Sequence, residues 1–199
     1  MAFLMSMRHG ALRFAIAGRL AAWCALATLP VAMAAEPPAQ APISAENQIK
    51  AVFLFNFAQF LAWPQNAFQT AKSPIVIGVL GEDPFGPYLD RVVQGEKIGG
   101  RSLVVRRYRQ VEDVAECHIL FVSRSEAGRL DRIISQMRGR AILTVGDMEG
   151  FAIRGGMVRF TTESGKIRLR INVAAAHAAG LTISSKLLAH ATIVPPGEN

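Results

Sequence analysis

Ile75-Val76-Ile77-Gly78-Val79-Leu80 runs directly into Gly81-Glu82-Asp83-Pro84. An unbroken apolar run rich in β-branched residues reads as a strand buried on both faces, as in a parallel sheet. The Gly-Glu-Asp-Pro that follows supplies a turn, a cap and a proline at a helix start. Phe85, Leu89, Val92 and Val93 then form the apolar face of a short helix that Gly95 can close. Downstream the same alternation repeats. Gly99-Gly100 turns into a strand at Leu103-Val104-Val105, and a short acidic helix spans Val111 to Ala115. A strand at His118 to Val122 follows. A helix comes next, capped by Ser123 or Ser125, with Ala127, Leu130, Ile133, Ile134 and Met137 at helical spacing and Arg129, Asp131 and Arg132 outside. Ala141 to Val145 is the next buried strand. Strands alternating with helices imply right-handed crossovers and a mostly parallel sheet.

Beyond Val145 the period changes. Val158 and Phe160 alternate with Arg159 and Thr161, and Ile167, Leu169 and Ile171 alternate with Lys166, Arg168 and Arg170. With Glu163-Ser164-Gly165 between them, these runs read as an antiparallel hairpin with one buried and one wet face. Short helices at Val173 to Ala179 (closed by Gly180) and at Ser185 to Ala191 complete the pattern. Upstream, Ser44 caps a helix from Ala45 to Ala62, with Glu46 in its first turn and Trp63-Pro64 at its end. Its apolar residues (Ile49, Val52, Phe53, Leu54, Phe55, Phe57, Phe60, Leu61) cover most of the circumference. Only a strip near Gln48, Asn56 and Gln59 is polar. Such a helix is buried on several sides or pressed against a partner. Phe53 and Phe57 are accordingly the candidate residues for self-association or partner binding. The expected fold is α/β and three-layered: a mostly parallel sheet flanked by helices, with a C-terminal antiparallel hairpin. It occupies residues 44–194 as a single domain, with 195–199 as a tail.

The first 35 residues read as a secretory signal. Arg8, Arg13 and Arg19 precede an apolar run from Leu20 to Val31 that ends in Ala32-Met33-Ala34, the organisation of a cleavable leader. Cleavage is expected near Ala34 or Ala35, with an uncleaved anchor as the alternative. Cys24 does not signal lipid attachment, because Trp23 stands where a small residue is needed. Residues 36–43, rich in Pro and Ala, form a flexible lead-in. Export to a bacterial periplasm removes ATP, NADH and chromosomal DNA as ligands. No later segment reaches the length of a membrane span. The formal charge is +7, and loss of the leader's three arginines leaves about +4. That mild excess, with no recognisable binding motif, does not indicate nucleic acid. Without Cys24 the mature chain keeps only Cys117, so no internal disulfide can form. Cys117 reads as a small buried thiol at a strand start.

Motifs for chemistry are missing. Gly78, Gly81 and Gly86 do not form GxGxxG, and Gly165-Lys166 lacks the rest of a phosphate loop. Ser184-Ser185-Lys186 misses the SxxK spacing. His118, His177 and His190 are scattered and read as structural, with no paired metal-ligand pattern. No cofactor, metal or catalytic residue is assigned. Asp147 and Glu149 follow a strand's carboxyl end, where they either share acid–base work or start a short helix before Phe151. Arg159, Lys166, Arg168 and Arg170 should share the outer face of the hairpin, since strand residues two apart point the same way. This basic stripe suits an acidic partner or anionic lipid heads, or else guards a sheet edge against aggregation.

Several blocks resemble the YfiR family of periplasmic regulators. They are Ala45-Glu46-Asn47-Gln48-Ile49-Lys50-Ala51-Val52-Phe53-Leu54-Phe55-Asn56-Phe57 with Trp63-Pro64, Pro74 to Gly81, and Cys117 to Ser123. Leu143 to Met148, Gly155-Gly156-Met157 and Ala179 to Leu188 complete the set. The resemblance implies a periplasmic α/β domain without catalysis. It also implies a partner, the periplasmic domain of an inner-membrane diguanylate cyclase. Repressing that cyclase would lower cyclic di-GMP and biofilm formation. Homodimers and disulfide-based redox control are further implications, and the lone Cys117 departs from the second. The alternative is a periplasmic small-molecule-binding module using the loops after Leu80, Val122 and Val145.

Overall fold

The computed structural model describes residues 42–195. The leader, nearly all of the lead-in and the last residues of the tail lie outside the described residues. In chain order the elements are α1 (Ala45–Phe60), β1 (Leu61–Ala62), β2 (Ile75–Leu80), α2 (Pro87–Val93), β3 (Lys97–Ile98), β4 (Arg101–Tyr108) and β5 (Ile119–Val122). Then follow α3 (Leu130–Met137), β6 (Leu143–Gly146), β7 (Val158–Glu163), β8 (Lys166–Ile171), α4 (Val173–Ala178), β9 (Thr182–Ile183), α5 (Ser185–Leu188) and β10 (Ala191–Ile193).

The main sheet has eight strands in the order β10-β8-β7-β6-β5-β2-β4-β3. β4, β2, β5, β6 and β7 are mutually parallel. β8 turns back antiparallel to β7, and β10 lies parallel to β8. Counting the parallel strands alone gives the order 2-1-3-4-5, which flavodoxin-like sheets share, with a topological switch between β2 and β5. The hairpin turn places Ser164 at φ 50° and Gly165 at φ 73°. Positive φ at both central residues gives the turn whose twist matches the strands it joins.

Alternating side chains on each strand face opposite layers. Leu54, Phe57, Phe85, Phe121, Phe160 and Leu169 build one core layer beneath α1 and α2. Leu120, Val122, Leu130, Ile133, Met137 and Phe151 build the other, beneath α3. The expected three-layer α/β architecture is therefore present.

Local differences have local causes. α1 ends at Phe60, because Leu61 and Ala62 pair antiparallel with Ile183 and Thr182. The acidic segment is a single 3-10 turn, Val111–Asp113. No helix precedes Phe151: residues 147–155 form turns. There the Phe151 ring fills the space that side chains at Gly146 and Gly156 would occupy. The last helix stops at Leu188, and Ala191–Ile193 pairs with β8 as an added strand. Phe57 corrects an expectation: it is 0% exposed and stacks on Phe160 at 5.9 Å, so it belongs to the core and presents no surface. Phe53 is half-buried, 5.9 Å from the same ring. The outward strip of α1 instead carries Ile49 and Val52, 46% and 39% exposed. Among the described residues no helix is long and apolar enough to cross a membrane.

Candidate functional site: the carboxyl-end crevice and a basic sheet face

The carboxyl ends of β2, β5 and β6 meet the first turns of α1 in a crevice of about 470 Å³, lined by Ser44, Asn47, Lys50, Ser123, Arg124 and Asp147 among others. A doubly wound sheet offers ligands this location, beside the switch between β2 and β5. Lys50 is the crevice's buried charge, its side chain only 3% exposed. Its Nζ donates to Asp147 Oδ2 at 2.6 Å and lies 2.6 Å from Glu46 Oε1. Arg124 Nε stands 3.2 Å from the other oxygen of Asp147, from the solvent side. These charges satisfy one another across the crevice, Lys50 with Asp147 and Glu46, and Asp147 with Arg124.

Sequence reasoning missed Lys50, which looks like half of an ordinary surface pair with Glu46 at helical spacing. The available signal was a lone cation inside a helix otherwise apolar nearly all round. Asp147 does reach the crevice. Glu149 is exposed and does not line it, so the two do not form a carboxylate pair.

The loop after β2 is anchored from beside the crevice. Arg107 donates from Nε to Asp83 at 2.7 Å and also pairs with Asp90. The hydrogen bond from Arg107 holds the Asp90 carboxyl below its ordinary range and raises the guanidinium in turn. Ser125 Oγ accepts from the Glu82 backbone N–H at 2.9 Å, which ties the β2 loop to the β5 loop.

At the opposite ends of the strands lies a second cavity of about 550 Å³, with Cys117 and His118 in its wall. His118 Nδ1 accepts from the Val76 N–H and Nε2 donates to the Ala67 carbonyl, each at 3.1 Å. Its ring stacks on Phe68 at 4.3 Å, and the Arg101 guanidinium lies over the Phe68 ring at 3.8 Å from its centroid. Burial pushes the imidazole below its ordinary value. With both nitrogens committed to backbone, His118 holds structure together. Cys117 is a buried free thiol, pushed up to about 12 by burial. His177 and His190 are exposed.

The hairpin register places Arg159 opposite Arg170, Thr161 opposite Arg168 and Glu163 opposite Lys166. Residues directly opposite share a face, so the four cations do lie together. That face looks away from Phe160 and Leu169, toward the α3 side of the sheet. Among the described residues none of the four joins a salt bridge. The Nε atoms of Arg159 and Arg170 are buried without a hydrogen-bond partner. β7 and β8 are interior strands, with β10 outside them. β10 covers β8 only from Leu169 to Ile171, so Arg170 lies inside the sheet while Lys166 and Arg168 stand on a stretch of β8 with no strand outside it, where the edge-guarding reading still applies.

The sequence matches the family model DUF4154, described as YfiR/HmsC-like, over residues 47–192. The span runs from the first turn of α1 into β10, and the chain belongs to this family. The family is one of periplasmic, non-catalytic regulatory proteins. No curated protein matches the chain. Among solved structures, the ABC domain in complex with L-Trp from Streptococcus pneumonia is similar at 13% identity and a TM-score of 0.49. The alignment covers 74% of this chain and 60% of that one. A conserved domain protein from Vibrio cholerae is similar at 17% identity and a TM-score of 0.44, covering 59% of this chain and 54% of that one.

Proposed function

We propose that this protein is a periplasmic repressor that binds the periplasmic domain of an inner-membrane diguanylate cyclase. It thereby lowers cyclic di-GMP and restrains biofilm formation. The observation that carries the reading is family membership across nearly the whole described fold. The cations of the hairpin face, exposed at Lys166 and Arg168 and half-buried at Arg159 and Arg170, and the outer strip of α1 are the surfaces offered for contact. In this reading Arg159, Lys166, Arg168 and Arg170 meet the cyclase, while Phe53, with Ile49 and Val52, contributes to a homodimer. Export by the leader delivers the chain to its partner, and N-terminal sequencing of the periplasmic protein should begin near residue 35 or 36.

Deleting the gene in a strain that retains the cyclase should raise cyclic di-GMP. An unchanged level would refute the proposal.

A second reading, a small-molecule-binding module, is favoured by one observation: the pre-formed charged crevice at the sheet's switch point. Ligand binding to the folded state raises apparent stability. A thermal-shift screen of periplasmic metabolites should yield a stabilising compound whose effect disappears in Asp147→Asn. Absence of any stabilising compound counts against this reading alone.

A further inference from the structure

We propose that the outer face of the β7–β8 hairpin is a docking strip for an extended acidic segment of a protein partner, with carboxylates at every second residue. This rests on the repressor reading for the existence of a protein partner and adds the chemistry by which that partner is held.

The argument begins with register. Lys166, Arg168 and Arg170 follow one another along β8 at alternate positions, and Arg159 stands across from Arg170. Alternate strand residues are spaced by roughly 7 Å. A second extended chain laid along the strip presents its own alternate side chains at the same repeat. The strip is a line of charges two strands wide, and its spacing fits a strand-like ligand.

Energetics point the same way. Like charges directly opposite each other disfavour strand pairing, yet Arg159 and Arg170 are so placed. Their buried Nε donors have no partner within the protein. The enclosed Nε atoms are out of an incoming acceptor's reach, so contact falls to the outer guanidinium nitrogens of these two half-buried side chains. A carboxylate seated between the two guanidiniums can accept from both, in the geometry arginine favours for carboxylates. At the turn end, Glu163 faces Lys166 and offsets its charge. The attraction is therefore concentrated at Arg159, Arg168 and Arg170.

A lipid surface fits less well. Surfaces that dock on anionic membranes combine cations with apolar side chains that enter the interface. Among the described residues the exposed large hydrophobics are Ile49, Val52 and Ile193. The first two lie on α1, across the sheet. Ile193 registers with Ile171, whose side chain belongs to the α1 layer. The basic face has no apolar residue of this kind.

The test uses the purified full chain and fluorescence anisotropy. One probe is a labelled ten-residue peptide with glutamate at every second position. A second has the same composition with its glutamates contiguous. Vesicles of phosphatidylglycerol form the third arm. The alternating peptide should bind several-fold more tightly than the contiguous one, and Arg168→Glu should weaken it about tenfold. Arg159→Gln should weaken it by a similar factor, with its fold checked by thermal melting. Arg168 is exposed, so its substitution leaves folding intact. Equal affinity for the two peptides overturns the strip, as does unchanged binding by Arg168→Glu. Arginine-dependent binding of vesicles without binding of peptide also overturns it. These outcomes do not depend on the cyclase. If deletion raises cyclic di-GMP and the Arg168→Glu chain restores it fully, the strip fails while the repressor reading stands.

Discussion

Replacing Lys50 with Met should destabilise the domain by about 3 kcal/mol, because removing one member of a buried ion pair leaves an uncompensated charge. The Lys50 and Asp147 side chains are 3% and 11% exposed, and Asp147 retains only Arg124, whose side chain is 69% exposed. That retained contact puts the loss at the lower end of the usual range, ~3–5 kcal/mol. Asp147→Asn leaves Lys50 with Glu46, which is 41% exposed, and should cost ~2 kcal/mol. The double variant removes both charges and with them the uncompensated one, so it should lose less than Lys50→Met alone and far less than the sum. Glu46→Gln removes only a half-exposed helical pair and should cost ~0.5 kcal/mol. The assay is urea unfolding followed by the fluorescence of Trp63. For a domain of this size the Lys50→Met loss corresponds to a melting shift of roughly 6–12 °C. A loss below about 1 kcal/mol for Lys50→Met, or additive single variants, would show that the pair is not a buried, interdependent unit.

Three further outcomes are expected. A Cβ on Gly156 would stand 2.2 Å from Phe151 Cε1 and 2.7 Å from the Phe151 carbonyl oxygen. Gly156→Ala should therefore cost ~2–4 kcal/mol by chemical denaturation, whereas Gly128→Ala, with nothing within 4 Å, should be near neutral; similar losses at both would contradict the packing. Burial lowers His118 below its ordinary value of 6.5, so the unfolded chain binds that proton more readily than the folded one. Stability from this group is complete above the unfolded value and declines as pH falls through it toward the folded value; a melting series should show that slope in wild type, and an identical slope in His118→Gln would remove His118 as its source. The Cys117 thiol, buried and pushed up to about 12, should resist a thiol reagent at neutral pH and react once urea unfolds the chain. Rapid labelling of the native protein would refute that burial.

Legibility followed the range of the interactions involved. β2 and β5 stand out because strands buried on both faces must be apolar throughout, and the β7–β8 hairpin stands out because one wet face forces alternation. β1, β3 and β10 carry no such signal. Two or three residues cannot establish a period, and Ala191-Thr192-Ile193 becomes a strand only because β8 lies beside it. Segment 147–155 looks helical by its Asp-x-Glu start, but the Phe151 ring packs against Gly146 and Gly156, five residues to either side, and the segment forms turns. α1 is the sharpest case. Its apolar residues leave no broad polar side to identify the outward face, so sequence could not distinguish Phe57, in the core, from Ile49 and Val52, at the surface. Lys50 was obscured for the converse reason: its partner Asp147 lies 97 residues away.

The placement of α1 also constrains how any crevice ligand could control a partner. Lys50 enters the crevice while its neighbour Ile49 faces outward, so a change in the hold on Lys50 acts directly on the helix that carries the apolar strip. Arg159 adjoins Phe160 in sequence but points from the opposite side of the sheet. Along the sheet it stands beside Gly146, one residue before the crevice's Asp147. Coupling requires an element with two arrangements that both sites bias, and among the described elements α1 touches the crevice while the hairpin's outer face does not. Effects of Lys50→Met and Arg168→Glu on partner affinity should therefore add, within about 0.5 kcal/mol, in a double-mutant cycle. A larger coupling would mean that the sheet transmits the change, and that the two surfaces form one regulatory unit.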